Sequence, residues 1–166
     1  MAFPEAKDAR LLEAASKAEK REIAAPIFVG GKPKMVAAAK RFRIPISGIP
    51  IIDISSGIPC RYASAYAKLR KVPRDISERI RFTPLFLAAF LVQMGEIEAM
   101  VATAVFTSAD AITTSEGIIG LRKGVSIPPS FFIMEIPNYK GGENGPLLFA
   151  DHSVNIDPDS PLKQIL

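Results

Sequence analysis

Apolar residues recur along this chain in two rhythms, short continuous runs and stretches spaced three or four residues apart, and their alternation predicts successive βα units. Met1 to Phe3 reads as the stub of a strand. Pro4 and Glu5 lead into a helix to about Glu22, with Leu11, Ala14, Ala15 and Ala18 on one face. Ile23 to Val29 is a short strand, Gly30-Gly31 a turn, Pro33 to Phe42 a second helix, and Ile49 to Ile54 another strand closed by Ser55-Ser56-Gly57. From Cys60 to Lys71 a helix places Tyr62, Tyr66 and Leu69 together. Pro73 breaks it, and Ser77 to Arg81 forms a short helix. Thr83-Pro84 is an N-cap and first-turn pair for a helix over Leu85 to Met94, ended by Gly95. That helix is apolar almost all round, so it is expected to be the most buried.

The stretch from Ala99 to Arg122 organises the rest. Met100 to Phe106 is expected to be a buried parallel strand, because it is continuously apolar and Val101 and Val105 favour extended backbone. Thr107 and Ser108 can cap the helix that follows, Asp110 lies in its first turn, and Ile112, Gly117, Ile118 and Ile119 continue a helical face. Such a corner, where a strand's carboxyl end meets a helix amino end, suits an anion because backbone N–H groups and the helix dipole converge on it. It is also what every ordinary capped βα turn contains. The pattern then changes: Ser130 to Ile136 and Pro146 to Ala150 flank a Gly- and Asn-rich connection and predict a β-hairpin.

The fold class is therefore α/β: a three-layer α/β/α domain with a mostly parallel sheet over residues 1–126, and a β-hairpin with its tail over 127–166 beginning an incomplete second domain. Ser130 to Ile136 is apolar on both faces, so the hairpin's exposed face and unpaired edge are expected to be covered by a second copy of the chain, giving a homo-oligomer, or else to cause aggregation.

Composition narrows the function. The formal charge of +4 raises nucleic-acid binding, but Lys17, Lys20 and Arg21 share a helix with Glu13, Glu19 and Glu22, and the other basic residues are scattered. No nucleic-acid partner is expected. The apolar run Leu85 to Met94 is too short to cross a bilayer, and MAFPEAKDARLL lacks the features of a secretory signal, so the expectation is no membrane and a cytoplasmic location. The single cysteine, Cys60, has no partner for an internal disulfide and reads as a packing residue; His152 reads as structural. VGGKPK matches neither GxGxxG nor GxxxxGK(S/T) and is read as a turn. No metal cluster is visible.

The ordered set FPEAKDARLLEAA, AYAKLRK, FTSAD, EGIIGLRKGV, SFFIMEIP and LLFADHSVNIDPD resembles the phosphate acetyltransferase and phosphate butyryltransferase family over nearly the whole chain. The resemblance implies two α/β/α domains with a cleft between them, usually in a dimer, and transfer of an acyl group between phosphate and coenzyme A. It implies as partners acetyl-CoA or another acyl-CoA, and phosphate or acyl phosphate, with coenzyme A as a substrate and no separate cofactor. Carried over by motif, Arg70 in AYAKLRK is expected to contact substrate or coenzyme phosphates, and Thr107, Ser108 and Asp110 to form the phosphate-holding corner. Thr113 completes the substrate-binding set, standing where the family has an arginine whose charge a threonine lacks. Thr103 replaces a small glycine. The family's serine, arginine and aspartate that act on the thiol have no counterpart here, so no catalytic residue is named and the chain on its own is expected to be inactive. The alternative is a catalytically silent module that binds phosphate or acyl-CoA and regulates or scaffolds a partner.

Overall fold

The computed structural model describes residues 1–57, 59–71, 73, 83–102, 104–125, 128, 131–136 and 146–150. The chain divides into two compact units, Met1–Ile119 and Gly120–Leu166.

The first unit is built on a parallel sheet of β1 (Ala2–Phe3), β2 (Ile27–Gly30) and β3 (Ile51–Asp53) in the order β1-β2-β3. Ala2 faces Ile27 across the first ladder, and Phe28, Val29 and Gly30 face Ile51, Ile52 and Asp53 across the second. On the free side of β1, Ala2 makes a parallel bridge to Met100, with the Ala2 amide donating to Ala99 O at 2.8 Å and the Val101 amide to Ala2 O at 2.9 Å. Among the described residues that bridge is all that forms of the strand expected over Met100 to Phe106. Beyond it the chain bends, and Val101 and Val105 are exposed.

Five helices surround this sheet among the described residues. They are α1 (Ala9–Lys20), α2 (Lys32–Phe42), α3 (Cys60–Arg70), α4 (Pro84–Gln93) and α5 (Ser108–Ile118). Helix α1 starts at Ala9 rather than Pro4, because the Asp8 side chain accepts the Arg10 amide and caps it there. Strand β2 starts at Ile27, after Pro26, which has no N–H to give a ladder. Ile23, expected within that strand, is 71% exposed. In α4 the Thr83 hydroxyl accepts the Phe86 amide, and Leu85 and Leu87 to Leu91 are all buried, as the all-round apolar pattern requires.

Neighbouring strand residues point to opposite faces, and the core accordingly falls into two clusters. Ala2 and Val29 join Tyr62, Leu87, Phe90, Leu91 and Ile118, from α3, α4 and α5. Phe3 and Phe28 join Leu11, Leu12, Met35 and Ala39, from α1 and α2. Of the apolar positions expected along α5, only Ile118 is fully buried; Ile119, just past its end, is 39% exposed.

In the second unit β4 (Phe131–Glu135) pairs antiparallel with β5 (Pro146–Ala150), Phe131 opposite Ala150 and Glu135 opposite Pro146. Phe131, Ile133, Met134 and Phe149 are exposed. The expected Ser77 to Arg81 helix, Thr103, His152 and the connection between β4 and β5 lie outside the described residues.

Candidate functional site at the carboxyl edge of the sheet

The carboxyl ends of parallel strands are where an open α/β sheet leaves room for a ligand. Here that edge borders a cavity of about 300 Å³ whose lining includes Glu5, Lys7, Gly30, Gly31, Thr83 and Phe106. Gly30 has φ +151°, a conformation L side chains rarely adopt, and so lets β2 turn directly into the amino end of α2.

Two clusters of backbone donors at this edge are already filled, each by a carboxylate of the chain. Gly31, the N-cap of α2, has no side chain to cap with, and Asp53 at the end of β3 supplies the acceptor instead. Its Oδ1 accepts the Lys32 amide at 3.0 Å, the Ser55 amide at 2.9 Å and the Ser55 hydroxyl at 2.7 Å. These bonds, the Lys32 amide foremost, hold the Asp53 carboxyl below the usual carboxylate range. Glu5 fills the second cluster. It is buried, its Oε2 accepts the Ala104 amide at 2.9 Å, and its Oε1 accepts the Val105 amide at 2.7 Å and the Phe106 amide as well.

The same segment is gripped from its other side. Arg10 Nη2 donates to Ala104 O at 2.9 Å, while Arg10 Nε and Nη2 donate to Asp8 Oδ1 and Oδ2 at 2.9 and 2.8 Å. The Arg10 side chain is the main reason that the Asp8 carboxyl lies at about 2. Thus FPEAKDAR and the VFTSAD segment, far apart in sequence, meet: the first organises the second.

Directly after the gripped peptides comes the corner itself. Thr107 is the N-cap of α5 in a reciprocal capping box: its Oγ1 accepts the Asp110 amide at 3.1 Å, and its own amide donates to Asp110 Oδ2 at 3.1 Å. The Thr107 hydroxyl also donates to Asp110 Oδ2 at 2.8 Å. Asp110 therefore secures Thr107. The next two amides of the helix, Ser108 and Ala109, have no acceptor among the described residues.

Of the residues singled out from sequence, Thr107, Ser108 and Asp110 come together in one helical turn, and Thr113 lies exposed farther along the same helix. Arg70 does not join them. Its guanidinium donates to Gly117 O, near the other end of α5, and ten residues of helix put that point about 15 Å from Thr107. Cys60 is exposed rather than packed. Glu5, Arg10 and Asp53 escape a sequence reading because their partners lie 21 to 101 residues away. Among the described residues no three His, Cys, Asp or Glu side chains are grouped to hold a metal ion, and no helix is long and apolar enough to cross a membrane.

Comparison with known proteins agrees with this architecture. The phosphate acetyl/butaryl transferase family model matches residues 1–165. The phosphate acetyltransferase of Clostridium acetobutylicum is 34% identical over 160 residues, covering 94% of this chain and 48% of that protein. The enzyme of the same name from Acetivibrio thermocellus is 32% identical over 162 residues, covering 95% and 48%. The chain thus spans about half the length of the curated relatives it matches. Among solved structures, a phosphotransacetylase from Streptococcus pyogenes shares the fold with a TM-score of 0.80 at 24% identity, over 95% of this chain and 48% of that one. A phosphotransacetylase from Staphylococcus aureus does so with a TM-score of 0.72 at 22% identity, over 89% and 44%. A match running from residue 1 to residue 165, over motifs that the fold brings into contact, places this chain in the phosphate acetyl/butaryl transferase family.

Proposed function

We propose that this chain forms the amino-terminal half of a phosphate acyltransferase and carries part of its grip on substrate phosphates. The reaction is attack by the coenzyme A thiolate on the carbonyl carbon of an acyl phosphate. A C–S bond forms, the C–O bond to phosphate breaks, and inorganic phosphate leaves; phosphorolysis of acyl-CoA is the reverse. The family match over residues 1–165 is the observation that carries this reading. The relatives named above are phosphate acetyltransferases, which supports it over a silent binding module.

In this reading the Ser108 and Ala109 amides and the Ser108 hydroxyl hold one phosphate, helped by the positive end of α5, while Thr107, whose hydroxyl proton is already given to Asp110, sets the corner's shape. Asp110 fixes Thr107 rather than touching the anion, since two negative groups repel. Arg70, whose guanidinium presents paired donors to phosphate, takes a second phosphate from its place farther along α5. Coenzyme A carries phosphate groups at separated points and suits such spacing better than one inorganic phosphate does. Thr113 lies between them and adds a hydroxyl without charge. The proposal includes the cytoplasm as the compartment and a homo-oligomer formed through β4 and β5, whose exposed Phe131, Ile133 and Phe149 support burial against a second copy.

Calorimetric titration of coenzyme A into the 166-residue chain tests the reading. Saturable binding is expected, and Arg70→Ala weakens it about tenfold, the effect of losing one charge-assisted contact. Unchanged affinity in Arg70→Ala removes Arg70 from the site, and no binding by the unaltered chain overturns the reading.

A further inference from the structure

Among the described residues of this unit Glu5 is the charged group most fully withdrawn from water, at 6% exposure, and the hydrogen bonds of its carboxylate go to backbone. A carboxylate is an acceptor only and can take several N–H groups at once. That makes it suited to three successive amides pointing one way, as those of Ala104, Val105 and Phe106 do. Arg10 on the Ala104 carbonyl holds the middle one of these peptides, the one whose N–H is that of Val105, from its other side. The segment leads without a spare residue into Thr107, so the direction of its peptides sets where the capping box and the first turn of α5 begin. Val105 and Phe106 also line the cavity beside Glu5.

From this arrangement we infer that Glu5 is the positioning residue of the phosphate-holding corner, acting through the peptides 104–106 and not by contact with substrate; this rests on the reading given under Proposed function. A glutamine at the same place keeps the shape, but offers one acceptor oxygen and turns an N–H₂ group toward donors. It therefore releases part of the grip while leaving the core clusters untouched.

The full 166-residue chain is compared with Glu5→Gln, and with Glu13→Gln as a control on the exposed face of α1. Two quantities are read: amide hydrogen exchange at Ala104 to Phe106 against that at Phe28 and Val29, and the coenzyme A dissociation constant. Glu5→Gln is expected to speed exchange at 104–106 about tenfold, as the loss of one charge-assisted hydrogen bond does, and by more than at Phe28 and Val29. It is expected to raise the dissociation constant by a similar factor, while Glu13→Gln changes neither. Equal acceleration at all these amides, or none at 104–106, overturns the inference, as does altered exchange with unaltered affinity. Failure of the unaltered chain to bind coenzyme A is a different outcome: it removes the functional reading, and the substrate part of this inference with it.

Discussion

Phe90→Ala is expected to lower the free energy of unfolding by about 3–5 kcal/mol, the usual cost of truncating a fully buried Phe. Phe90 is 0% exposed, lies in the cluster with Ala2, Val29, Leu87 and Leu91, and sets its ring against Tyr66 at 5.7 Å between centroids. Helix α4 is the element that ties this cluster to β2 and α5. A cavity opened there cannot collapse without moving the sheet. Typical domains have only about 5–15 kcal/mol in total, so the variant retains a small margin at best. Urea unfolding reads the change as a lower midpoint at unchanged slope. A loss below about 1 kcal/mol would mean that Phe90 is not buried as described.

The second large effect is expected from Glu5→Ala, at about 3 kcal/mol. Each of three amides loses its acceptor at about 1–3 kcal/mol, and the adjoining cavity admits water that recovers part of the loss. Glu13 gives the scale. It is an exposed glutamate paired with Lys17 at 2.6 Å, and Glu13→Ala is expected to cost no more than about 0.5 kcal/mol, as exposed ion pairs do. Both chains lose one carboxylate, so their difference measures what the buried hydrogen bonds contribute. Equal costs, read by urea unfolding of the two variants side by side, would contradict the grip on residues 104–106.

Much of the fold is legible in the sequence wherever local chemistry decides. Pro33 and Thr83-Pro84 mark the starts of α2 and α4 because proline at a helix start gives up nothing, and the Thr107 to Asp110 spacing is enough to predict a capped helix. The apolar run Leu85 to Met94 reads as a buried helix because Thr83-Pro84 opens it and Gly95 closes it. What local pattern misses is decided at long range. Met100 to Phe106 reads as a buried strand, yet its described residues form only the bridge at Met100, and the amides of Ala104 to Phe106 go to Glu5, about a hundred residues earlier. In the same way Pro4 to Lys7 reads as the first turn of a helix, but Glu5 is turned into the protein and Asp8 begins the helix later. That Thr107, Ser108 and Asp110 stand together was legible, because they lie in one turn. The separation of Arg70 from that turn was not, since only the packing of α3 beside α5 sets it.

The most direct test follows the backbone amides of the 166-residue chain by NMR as coenzyme A is added. The account predicts saturable shifts concentrated on Thr107 to Thr113 and around Arg70 and Gly117, the two ends of α5. Shifts confined to another part of the chain, or none at saturating coenzyme A, would contradict it.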